Sequence, residues 1–447
     1  MKHPYLKKAY DTLLLRTPHE PEFHQAVYEV LESLEHVVDD YPYVIKENII
    51  ERLLEPERVI TFRVSWTNDQ GDVEVNRGYR VQFNSAIGTF KGGLRFHPSV
   101  NLSILKFLAF EQTFKNALTT LPMGGAKGGS DFNPKGRSDQ EIMRFCQAFM
   151  SELYHHIGED IDVPAGDIGV GRREIGYLYG YYKKLKNQVS SVLTGKGTSY
   201  GGSYVRKEAT GYGLVYFTNE ALKTVYATDF KDKKVIISGS GNVAIYAAEK
   251  VIDLGGLVIG MSDSEGIIHD ATGIDIKIIK EIKEVKRENI KTYLDTYPNA
   301  TYQKNPKKLW EIICDVALPC ATQNELDDKD VKHLIKNNVL MVSEGANMPL
   351  TKEAIDLLLE NNILFGPAKA ANAGGVLVSG LEISQNNQFY NYSYEKVDTI
   401  LKDIMNKMFH DIYETARRYN EPNNLLCGAN ILSFKKIAKA MHEQGVT

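Results

Sequence analysis

Apolar side chains recur at helical spacing over the first part of the chain. Between residues 21 and 55 they follow one another at intervals of three or four positions, which predicts that helices open the fold. The positions that show this spacing are Phe23, Val27, Val30, Leu31, Leu34 and Val37. From residue 59 the pattern changes to that of β-strands. Residues 59–64 and 76–83 form two such runs on either side of a polar turn at 68–71, so a β-hairpin is expected to follow the helices.

The second half of the chain shows a different pattern of apolar and polar residues. Beyond a glycine- and serine-rich patch at 195–203, short apolar runs alternate with amphipathic helical stretches. The runs lie at residues 234–238, 257–261, 316–319, 339–342 and 363–366. This βα alternation predicts a parallel, doubly wound sheet, the Rossmann-like arrangement that binds dinucleotides. A long helical region at 392–419 follows, and we expect the tail beyond it to pack back on the first domain.

The prediction is therefore an α/β protein of two domains. Residues 1–200, together with about 425–447, are expected to form an α/β domain with a mixed sheet for substrate binding and oligomerisation. Residues 201–424 are expected to form the dinucleotide-binding domain. A chain of 447 residues is too long for one ordinary core, which agrees with this division.

Composition argues against several classes of function. A net charge of −4 gives no long-range attraction for nucleic acid or for an anionic membrane. The four cysteines have no CxxC spacing, so neither a zinc site nor a disulfide framework is predicted. No run approaches the ~20 apolar residues of a membrane span, and no signal peptide is recognisable. We expect a cytoplasmic protein without a metal site, with a processed organellar form as the alternative.

One glycine-rich turn carries a dinucleotide-binding pattern. In the G-x-G-x-x-A sequence, Gly239 permits the turn, Gly241 lets the backbone approach a pyrophosphate, and Ala244 lets helix and strand pack closely. An acidic residue follows the next strand, roughly twenty residues further on, where such a residue normally meets the adenosine ribose. The residues predicted to contact the coenzyme here are Gly239, Ser240, Gly241, Asn242, Val243, Ser262, Asp263 and Ser264. The alternative is a tight turn in an α/β domain that binds another nucleotide or none.

Three lysines of the first domain stand in unusual settings. Lys91 and Lys127 are flanked by Gly-Gly pairs, which we interpret as loops where backbone and ligand come close. Lys115 and Gln112 are one turn apart on a predicted helix, so both side chains share one face. Any one of these lysines alone is more simply a solvated charge on a turn. Together they predict a pocket for a small anion.

An aspartate occupies another glycine-rich segment, at residues 163–171. A carboxylate beside a partly dehydrated lysine forms a natural acid/base pair, which makes Asp167 a candidate partner for the lysines. Taken alone, Asp167 is more simply a turn residue.

These segments together resemble the glutamate dehydrogenase family over essentially the whole chain. The matching stretches are residues 91–98, 122–129, 164–167, 206–213, 239–244 and 372–376. In its length and in the sequences of these motifs, the chain resembles the shorter, homohexameric type. The antenna insertion of the longer animal type is not found. The resemblance implies two domains with the active site in a cleft between them.

The resemblance also implies the substrate contacts. Lys91 and Ser379 would hold the side-chain carboxylate of glutamate, and Lys115 and Gln112 would hold the α-carboxylate. Sister dehydrogenases of leucine, valine and phenylalanine share the catalytic residues, so only the side-chain pocket separates these substrates. A buried lysine facing an apolar side chain is a costly mismatch. The pair Lys91 and Ser379 therefore favours L-glutamate, with a leucine- or phenylalanine-type enzyme as the alternative.

The catalytic roles follow from the same resemblance. Lys127 would polarise or deprotonate the water that attacks the imine, because burial and neighbouring cations lower the pKa of an amine. Asp167 would carry protons to and from the nitrogen while hydride moves between the α-carbon and the nicotinamide ring. The expected reaction is the reversible conversion of L-glutamate to 2-oxoglutarate and ammonium, in ammonia assimilation. A nucleotide-binding module that has lost the chemistry is the other alternative, and the presence of both residues argues against it.

The remaining coenzyme contacts also come from the resemblance. Arg206 and Thr210 would lie near the nicotinamide, and Gln323 and Asn347 near its ribose.

Two features bear on the choice between NADP and NAD. Asp263 suits the free 2′-hydroxyl of NAD. Against this, the triplet 262–264 resembles the NADP-specific members, and Lys283 and Lys286 lie where those members carry cations for the 2′-phosphate. The two lysines also fit an ordinary solvated helix face. We favour NADP, with NAD as the alternative.

Overall fold

The computed structural model describes residues 1–446 and divides the chain into two compact units. The first comprises Met1–Tyr204, Val376–Val397 and the residues from Asn430 onward, and the second comprises Val205–Gly375 and Asp398–Ala429. The segment Val376–Val397 groups with the first unit, although the sequence-based division had placed it in the dinucleotide domain. Its helical pattern carries no information about its packing partners, which are distant in sequence.

Seven α-helices and five strands belong entirely to the first unit. The helices are α1 (Pro4–Arg16), α2 (Pro21–Leu34), α3 (Pro42–Lys46), α4 (Ile49–Leu54), α5 (Leu102–Leu118), α6 (Asp139–Leu153) and α7 (Arg172–Lys186). The strands are β1 (Arg58–Thr67), β2 (Val73–Asn84), β3 (Phe90–Phe96), β4 (Gly125–Ser130) and β5 (Asp162–Gly166).

Six α-helices and seven strands belong entirely to the second unit. The helices are α8 (Ala209–Tyr226), α9 (Asn242–Asp253), α10 (Ile276–Lys280), α11 (Asp328–Lys336), α12 (Lys352–Glu360) and α13 (Ala368–Ala371). The strands are β6 (Lys234–Ile237), β7 (Leu257–Ser262), β8 (Gly266–His269), β9 (Thr301–Lys304), β10 (Val316–Leu318), β11 (Met341–Ser343) and β12 (Leu364–Gly366). The unit boundaries near the end of the chain fall inside α14 (Gly374–Asn387), α15 (Tyr394–Arg418) and α16 (Leu425–Gln444).

The five-stranded sheet of the first unit is mixed, as predicted. Its order is β1-β2-β4-β3-β5, in which β2 is antiparallel to both neighbours and the last three strands are parallel to one another. The predicted hairpin is present as β1 and β2. An aromatic cluster, in which the rings of Phe132 and Phe145 stack 3.8 Å apart, packs with α6 and α7 beneath β3. Ser138 and Glu141 form a capping box that fixes the start of α6.

The Gly-Gly segments around Lys91 and Lys127 are strands β3 and β4, so their interpretation as loops is wrong. Glycine is required there for packing. A Cβ at Gly92 would lie 1.6 Å from the carbonyl oxygen of Ala126 on the neighbouring strand, and one at Gly125 would strike a side chain of α5. The absence of side chains thus lets two strands and a helix approach closely.

The seven-stranded sheet of the second unit has the order β12-β11-β10-β6-β7-β8-β9. The five strands from β12 to β7 are parallel, and they are the five predicted from the sequence. Strands β8 and β9 run antiparallel at one edge and were not predicted. They are only four residues long and their apolar pattern is too short to separate from a loop.

Helices cover the parallel part of this sheet. Alternate strand residues, such as Ile236 and Val342, lie in one apolar cluster with side chains of α11 and α12. Their neighbours along each strand point to the opposite face, and α9 packs against β6 and β7. This is the predicted Rossmann-type arrangement. Among residues 1–446, no helix is both long and apolar enough to cross a bilayer.

Candidate active site

Lys127 and Asp167 meet within the first unit. Lys127 lies on β4 and Asp167 follows the end of β5, and the lysine Nζ is 3.3 Å from Oδ2 of the aspartate. Their side chains are only 7% and 15% exposed. Gly93 of β3 lies beside the pair, because a Cβ there would lie 2.9 Å from Cβ of Asp167 and 3.3 Å from Nζ of Lys127. The acid/base pair suggested by the sequence is therefore in contact.

A third charged group completes this pair. The Nε of Arg95, on β3, donates to the same Oδ2 of Asp167 at 2.7 Å. The carboxylate is thus shared between an ammonium and a guanidinium. Sequence reasoning assigned Arg95 no role, although it ends the Lys91–Arg95 motif and lies two residues from Gly93.

Burial and neighbouring charges shift the two pKa values in the same direction. Burial lowers the pKa of Lys127, and although Asp167 opposes this, Arg95 and Arg80 add to the lowering. Burial alone would raise the pKa of Asp167, but the two adjacent cations lower it below its usual value. The arrangement thus keeps the aspartate ionised and makes the lysine easier to deprotonate.

A fully buried ion pair links strands of the same sheet. Arg80 of β2 and Asp162 of β5 form a two-pronged contact, with Nε to Oδ2 at 2.8 Å, and neither side chain is exposed. Arg80 also donates to the carbonyl oxygen of Gly92 at 3.1 Å, and the amide of Gln82 donates to Asp162 at 3.0 Å. These bonds fix β2, β3 and β5 relative to one another.

Lys91 is the most deeply buried of the predicted substrate lysines, at 1% exposure. Its Nζ donates to Oγ1 of Thr194 at 2.8 Å, a contact that sequence reasoning missed. Ser379 lies buried on α14, one turn before Glu382, and the backbone N–H of Gly195 donates to that glutamate at 3.0 Å. The segment after Thr194 therefore joins the Lys91 region to the helix that carries Ser379.

Helix α5 brings the other predicted substrate residues to the same sheet. Gln112 and Lys115 are half-buried on one helical face. The amide of Gln112 donates to Asn116 at 2.7 Å, and Asn116 donates to the carbonyl oxygen of Lys91 at 3.1 Å. A Cβ at Gly92 would lie 3.3 Å from Cγ of Gln112, so α5 packs directly over β3.

The glycine turn of the second unit has the geometry of an anion-binding site. Gly239 adopts a φ of +84°, which favours glycine, and its N–H donates to Oγ of Ser262 at 2.8 Å. Gly241 precedes α9 and has no side chain to cap it, and a Cβ built there would meet nothing within 4 Å. Open space thus lies before the N–H groups of the first turn, which fits the pyrophosphate of a dinucleotide.

The loops that carry Gln323 and Asn347 adjoin one another. Between them the N–H of Asn324 donates to the carbonyl oxygen of Met348 at 2.9 Å, and Asn372 donates to Oδ1 of Asn347 at 3.0 Å. Both loops follow parallel strands of the same sheet. Ligands of such sheets bind beyond the carboxyl ends of the strands, so the position suits a coenzyme contact.

A glutamate that the sequence did not reveal links two of these loops. Oγ of Ser238 donates to Oε1 of Glu325 at 2.8 Å, and it also accepts from the N–H of Cys320 at 2.8 Å. Burial raises the pKa of Glu325 to about 7, against the hydrogen bonds from Ser238 and Ala321. These bonds connect Ser238, just before Gly239, to the loop that carries Gln323.

Arg206 and Thr210 lie side by side at the start of α8. A Cβ at Gly375 would be 2.5 Å from Oγ1 of Thr210 and 3.6 Å from Nη1 of Arg206. All three belong to the second unit. The structure thus brings together the two residues that the resemblance placed near the nicotinamide.

Asp263 makes its hydrogen bonds inside the protein. One carboxylate oxygen accepts from the N–H of Glu265 at 2.9 Å, and the other accepts from the N–H of Ile290 at 3.1 Å. Its side chain is only 7% exposed. Asp263 thus stabilises its own turn, and this weakens its expected role as an acceptor for the 2′-hydroxyl of NAD.

The two candidate phosphate-binding lysines differ in their surroundings. Both lie on a turn of π-helix, Glu281–Lys286. Lys283 Nζ is 4.0 Å from Oδ2 of Asp263, whereas Lys286 pairs with Glu281 at 2.9 Å. Only Lys283 is thus in contact with the segment that follows β7. Within the part of the chain that the structure describes, no three His, Cys, Asp or Glu side chains are grouped so as to hold a metal ion.

Comparisons with known proteins agree with this geometry. The model of the Glutamate/Leucine/Phenylalanine/Valine dehydrogenase family matches residues 201–445, and that of the Glu/Leu/Phe/Val dehydrogenase dimerisation domain matches residues 56–184. An NADP-specific glutamate dehydrogenase of Helicobacter pylori is 54% identical over 99% of this chain and 100% of its own length. An NAD-specific glutamate dehydrogenase of Bacteroides fragilis is 53% identical over 99% of both chains. The crystal structure of Plasmodium falciparum glutamate dehydrogenase superimposes with a TM-score of 0.96 at 50% identity, covering 99% of this chain and 95% of the other.

Proposed function

The chain belongs to the glutamate, leucine, phenylalanine and valine dehydrogenase family, and we propose that it catalyses the reversible oxidative deamination of L-glutamate with NADP. The products are 2-oxoglutarate and ammonia. The observation that carries this proposal is the contact of Lys127 with Asp167 on the same small sheet that buries Lys91. That sheet offers a proton-transfer pair and a separate cation for a substrate carboxylate.

The choice of glutamate over apolar amino acids rests on Lys91 and its surroundings. An ammonium group held at 1% exposure gains from a substrate carboxylate, whereas an apolar side chain would add dehydration and offer no acceptor. We assign the side-chain carboxylate to Lys91 and Ser379, and the α-carboxylate to Lys115 and Gln112. Support comes from α5, which packs over β3 beside Lys91.

The pair Lys127 and Asp167 carries the proton chemistry. In deamination, water adds to the imine carbon of the oxidised substrate. The lowered pKa of Lys127 makes its ammonium group easier to deprotonate, and the neutral amine takes a proton from this water. Asp167 remains ionised and exchanges protons with the substrate nitrogen. When bound, NADP supplies the acceptor for the hydride that leaves the α-carbon.

NADP is favoured over NAD by the turn after β7. The oxygens of Asp263 accept backbone hydrogen bonds, and Lys283 lies beside them, so a 2′-phosphate meets a cation rather than a free carboxylate. Overall identity does not separate the coenzymes, because relatives that are 53–54% identical carry NADP-specific and NAD-specific names. The coenzyme site itself comprises the Gly239–Val243 turn with Arg206, Thr210, Gln323 and Asn347.

We also propose a homohexamer that acts in the cytoplasm in ammonia assimilation. The family model over residues 56–184 is described as a dimerisation domain, which supports self-association. Light scattering coupled to size exclusion tests this directly. A mass of one or two chains would contradict the hexamer.

Initial rates test the substrate and coenzyme together. At saturating 2-oxoglutarate and ammonium, kcat/KM for NADPH should exceed that for NADH by about tenfold or more, because a buried or half-buried phosphate contact is charge-assisted. With amino acids and NADP, glutamate should outperform leucine and phenylalanine. A preference for NADH would support the NAD alternative, and a preference for leucine would support the sister enzymes.

Removal of the catalytic lysine tests the mechanism. Lys127→Ala should lower kcat by about 10²–10⁴-fold, the usual contribution of acid/base groups. Binding of NADPH, followed by its fluorescence, should persist. Lys8→Ala, at an exposed lysine of the same unit, is the matched control and should retain full turnover. Normal turnover of Lys127→Ala would remove the mechanism.

A further inference from the structure

A second fully buried ion pair lies within the first unit. Nζ of Lys196 is 2.9 Å from Oε1 of Glu382 on α14, and neither side chain is exposed. The ammonium also lies 5.4 Å from the ring centre of Tyr179. Burying two charges carries a large dehydration penalty, and a well-packed apolar pair of similar volume would stabilise the fold at least as well. The pair therefore calls for an explanation other than stability.

Glu382 does more than pair with Lys196. Its carboxylate accepts hydrogen bonds from the backbone N–H of Gly195 at 3.0 Å and from that of Lys196 at 3.3 Å. Nζ of Lys196 in turn donates to the carbonyl oxygen of Leu193. The pair thus clamps four consecutive residues, 193–196, against α14.

The clamped segment, residues 193–196, contains Thr194, a hydrogen-bond partner of Lys91. Thr194 accepts a hydrogen bond from Lys91 through Oγ1 and donates its own N–H to the carbonyl oxygen of Pro164 on β5 at 2.9 Å. Leu193 adopts a φ of +62°, a conformation that a non-glycine residue keeps only where its surroundings enforce it. The hydrogen bond from Lys196 to the carbonyl oxygen of Leu193, together with the packing of the leucine side chain in the apolar cluster of this unit, holds that conformation.

We propose that Lys196 and Glu382 are positioning residues that select substrates with a side-chain carboxylate. They hold Thr194 against Lys91, which orients the lysine ammonium, and they fix the turn of α14 that follows Ser379. This inference rests on the proposed function of Lys91 and Ser379 as the side-chain carboxylate site. Neither Lys196 nor Glu382 contacts the substrate in this assignment.

The test variant replaces both charges and keeps the shape. Lys196→Met combined with Glu382→Gln removes the ion pair but leaves an amide oxygen to accept from the backbone N–H groups. The measured quantity is the ratio of kcat/KM for 2-oxoglutarate to that for 2-oxopentanoate, which lacks the second carboxylate. We expect this ratio to fall about tenfold or more, through a higher KM for 2-oxoglutarate, with kcat and the KM for NADPH nearly unchanged.

A matched control separates positioning from general support. Lys106 and Glu20 form another largely buried pair in the same unit, 2.9 Å apart. Lys106→Met combined with Glu20→Gln should leave the substrate ratio unchanged. Glu382→Asp keeps the charges and shortens the carboxylate by one carbon, so it should fold even where the neutral pair does not. We expect it to lower the same ratio by about threefold.

The outcomes separate this inference from the function beneath it. If the wild-type enzyme prefers 2-oxopentanoate, the proposed function itself fails. If the wild-type enzyme prefers 2-oxoglutarate and the folded variants keep that preference, only the positioning role of Lys196 and Glu382 is overturned. Where the neutral pair does not fold, an unchanged ratio in Glu382→Asp has the same consequence.

Discussion

The two units prepare their proposed ligand sites in opposite ways. The first unit buries charged groups on a small mixed sheet: Arg80 with Asp162, Lys127 with Asp167, and Lys91 beside Thr194. The second unit presents a glycine turn, backbone N–H groups and partly exposed lysines at the end of a parallel sheet. A small anionic substrate has few features, so dehydrated charges must identify it. A dinucleotide has a long chain of sugars and phosphates, which the N–H groups of the protein backbone can bind.

The difference also sets how tolerant each site is. A buried charge that loses its partner remains dehydrated and unbalanced, so single changes in the first unit are costly. A partly exposed charge that loses its partner is resolvated, so changes at Lys283 act mainly on the ligand. Three substitutions test this contrast.

The largest effect is expected at Asp162. Asp162→Asn leaves Arg80 buried without a counter-charge, which should lower the free energy of unfolding by about 3–5 kcal/mol. Urea unfolding measures the change. Asp139→Asn, at an exposed aspartate paired with Arg173, is the control and should change stability by less than about 1 kcal/mol. Equal losses of stability in Asp162→Asn and Asp139→Asn would contradict the contrast between buried and exposed charges.

A partly buried carboxyl group in the second unit should behave in the opposite way. The pKa of Glu325 is raised to about 7 from 4.5, so the folded chain binds an extra proton between these values and stability falls as pH rises through them. Glu325→Gln removes the penalty of the charged form. We expect the variant to be more stable than wild type by about 1–3 kcal/mol at pH 8 and nearly equal at pH 5.

Thermal unfolding over that pH range measures the difference. Glu353→Gln, at an exposed glutamate, serves as the control and should show no pH-dependent gain. If the Glu325→Gln variant were less stable than wild type at pH 8, the hydrogen bonds to the charged carboxylate would outweigh the cost of its dehydration.

The smallest effect is expected at the two candidate phosphate-binding lysines, whose side chains are 24% and 51% exposed. Lys283→Ala should raise the KM for NADPH by about tenfold and leave the KM for NADH unchanged, because one charge-assisted phosphate contact is lost. Lys286→Ala should have less effect, since that lysine is paired with Glu281. Equal losses with both coenzymes would show that Lys283 supports the fold and not the 2′-phosphate.

Local patterns made part of the molecule predictable. The G-x-G-x-x-A turn and the five parallel strands of the second unit follow from short-range spacing, and both were predicted. The family membership was also recognised from motifs. The glycine-rich setting of Asp167 made it a candidate partner for the lysines, and the family resemblance assigned it to Lys127.

The contacts that complete the site lie beyond any local pattern. Arg95 meets Asp167 across 72 positions, Lys91 meets Thr194 across 103, and Lys196 meets Glu382 across 186. No spacing rule connects such residues. The Gly-Gly strands were misjudged for a different reason, since glycine weakens strand signals and the need for close packing becomes visible only in the assembled sheet.

Gly93 shows how a catalytic arrangement can depend on a missing group. The proton-exchanging pair packs directly against this glycine, because a Cβ here would lie 2.9 Å from Cβ of Asp167 and from the carbonyl oxygen of Gly166, and 3.3 Å from Nζ of Lys127. Steric interference there would uncouple the two residues without altering either charge. Efforts to widen the substrate range should therefore leave position 93 as glycine, because a larger side chain there would displace the proton-exchanging pair.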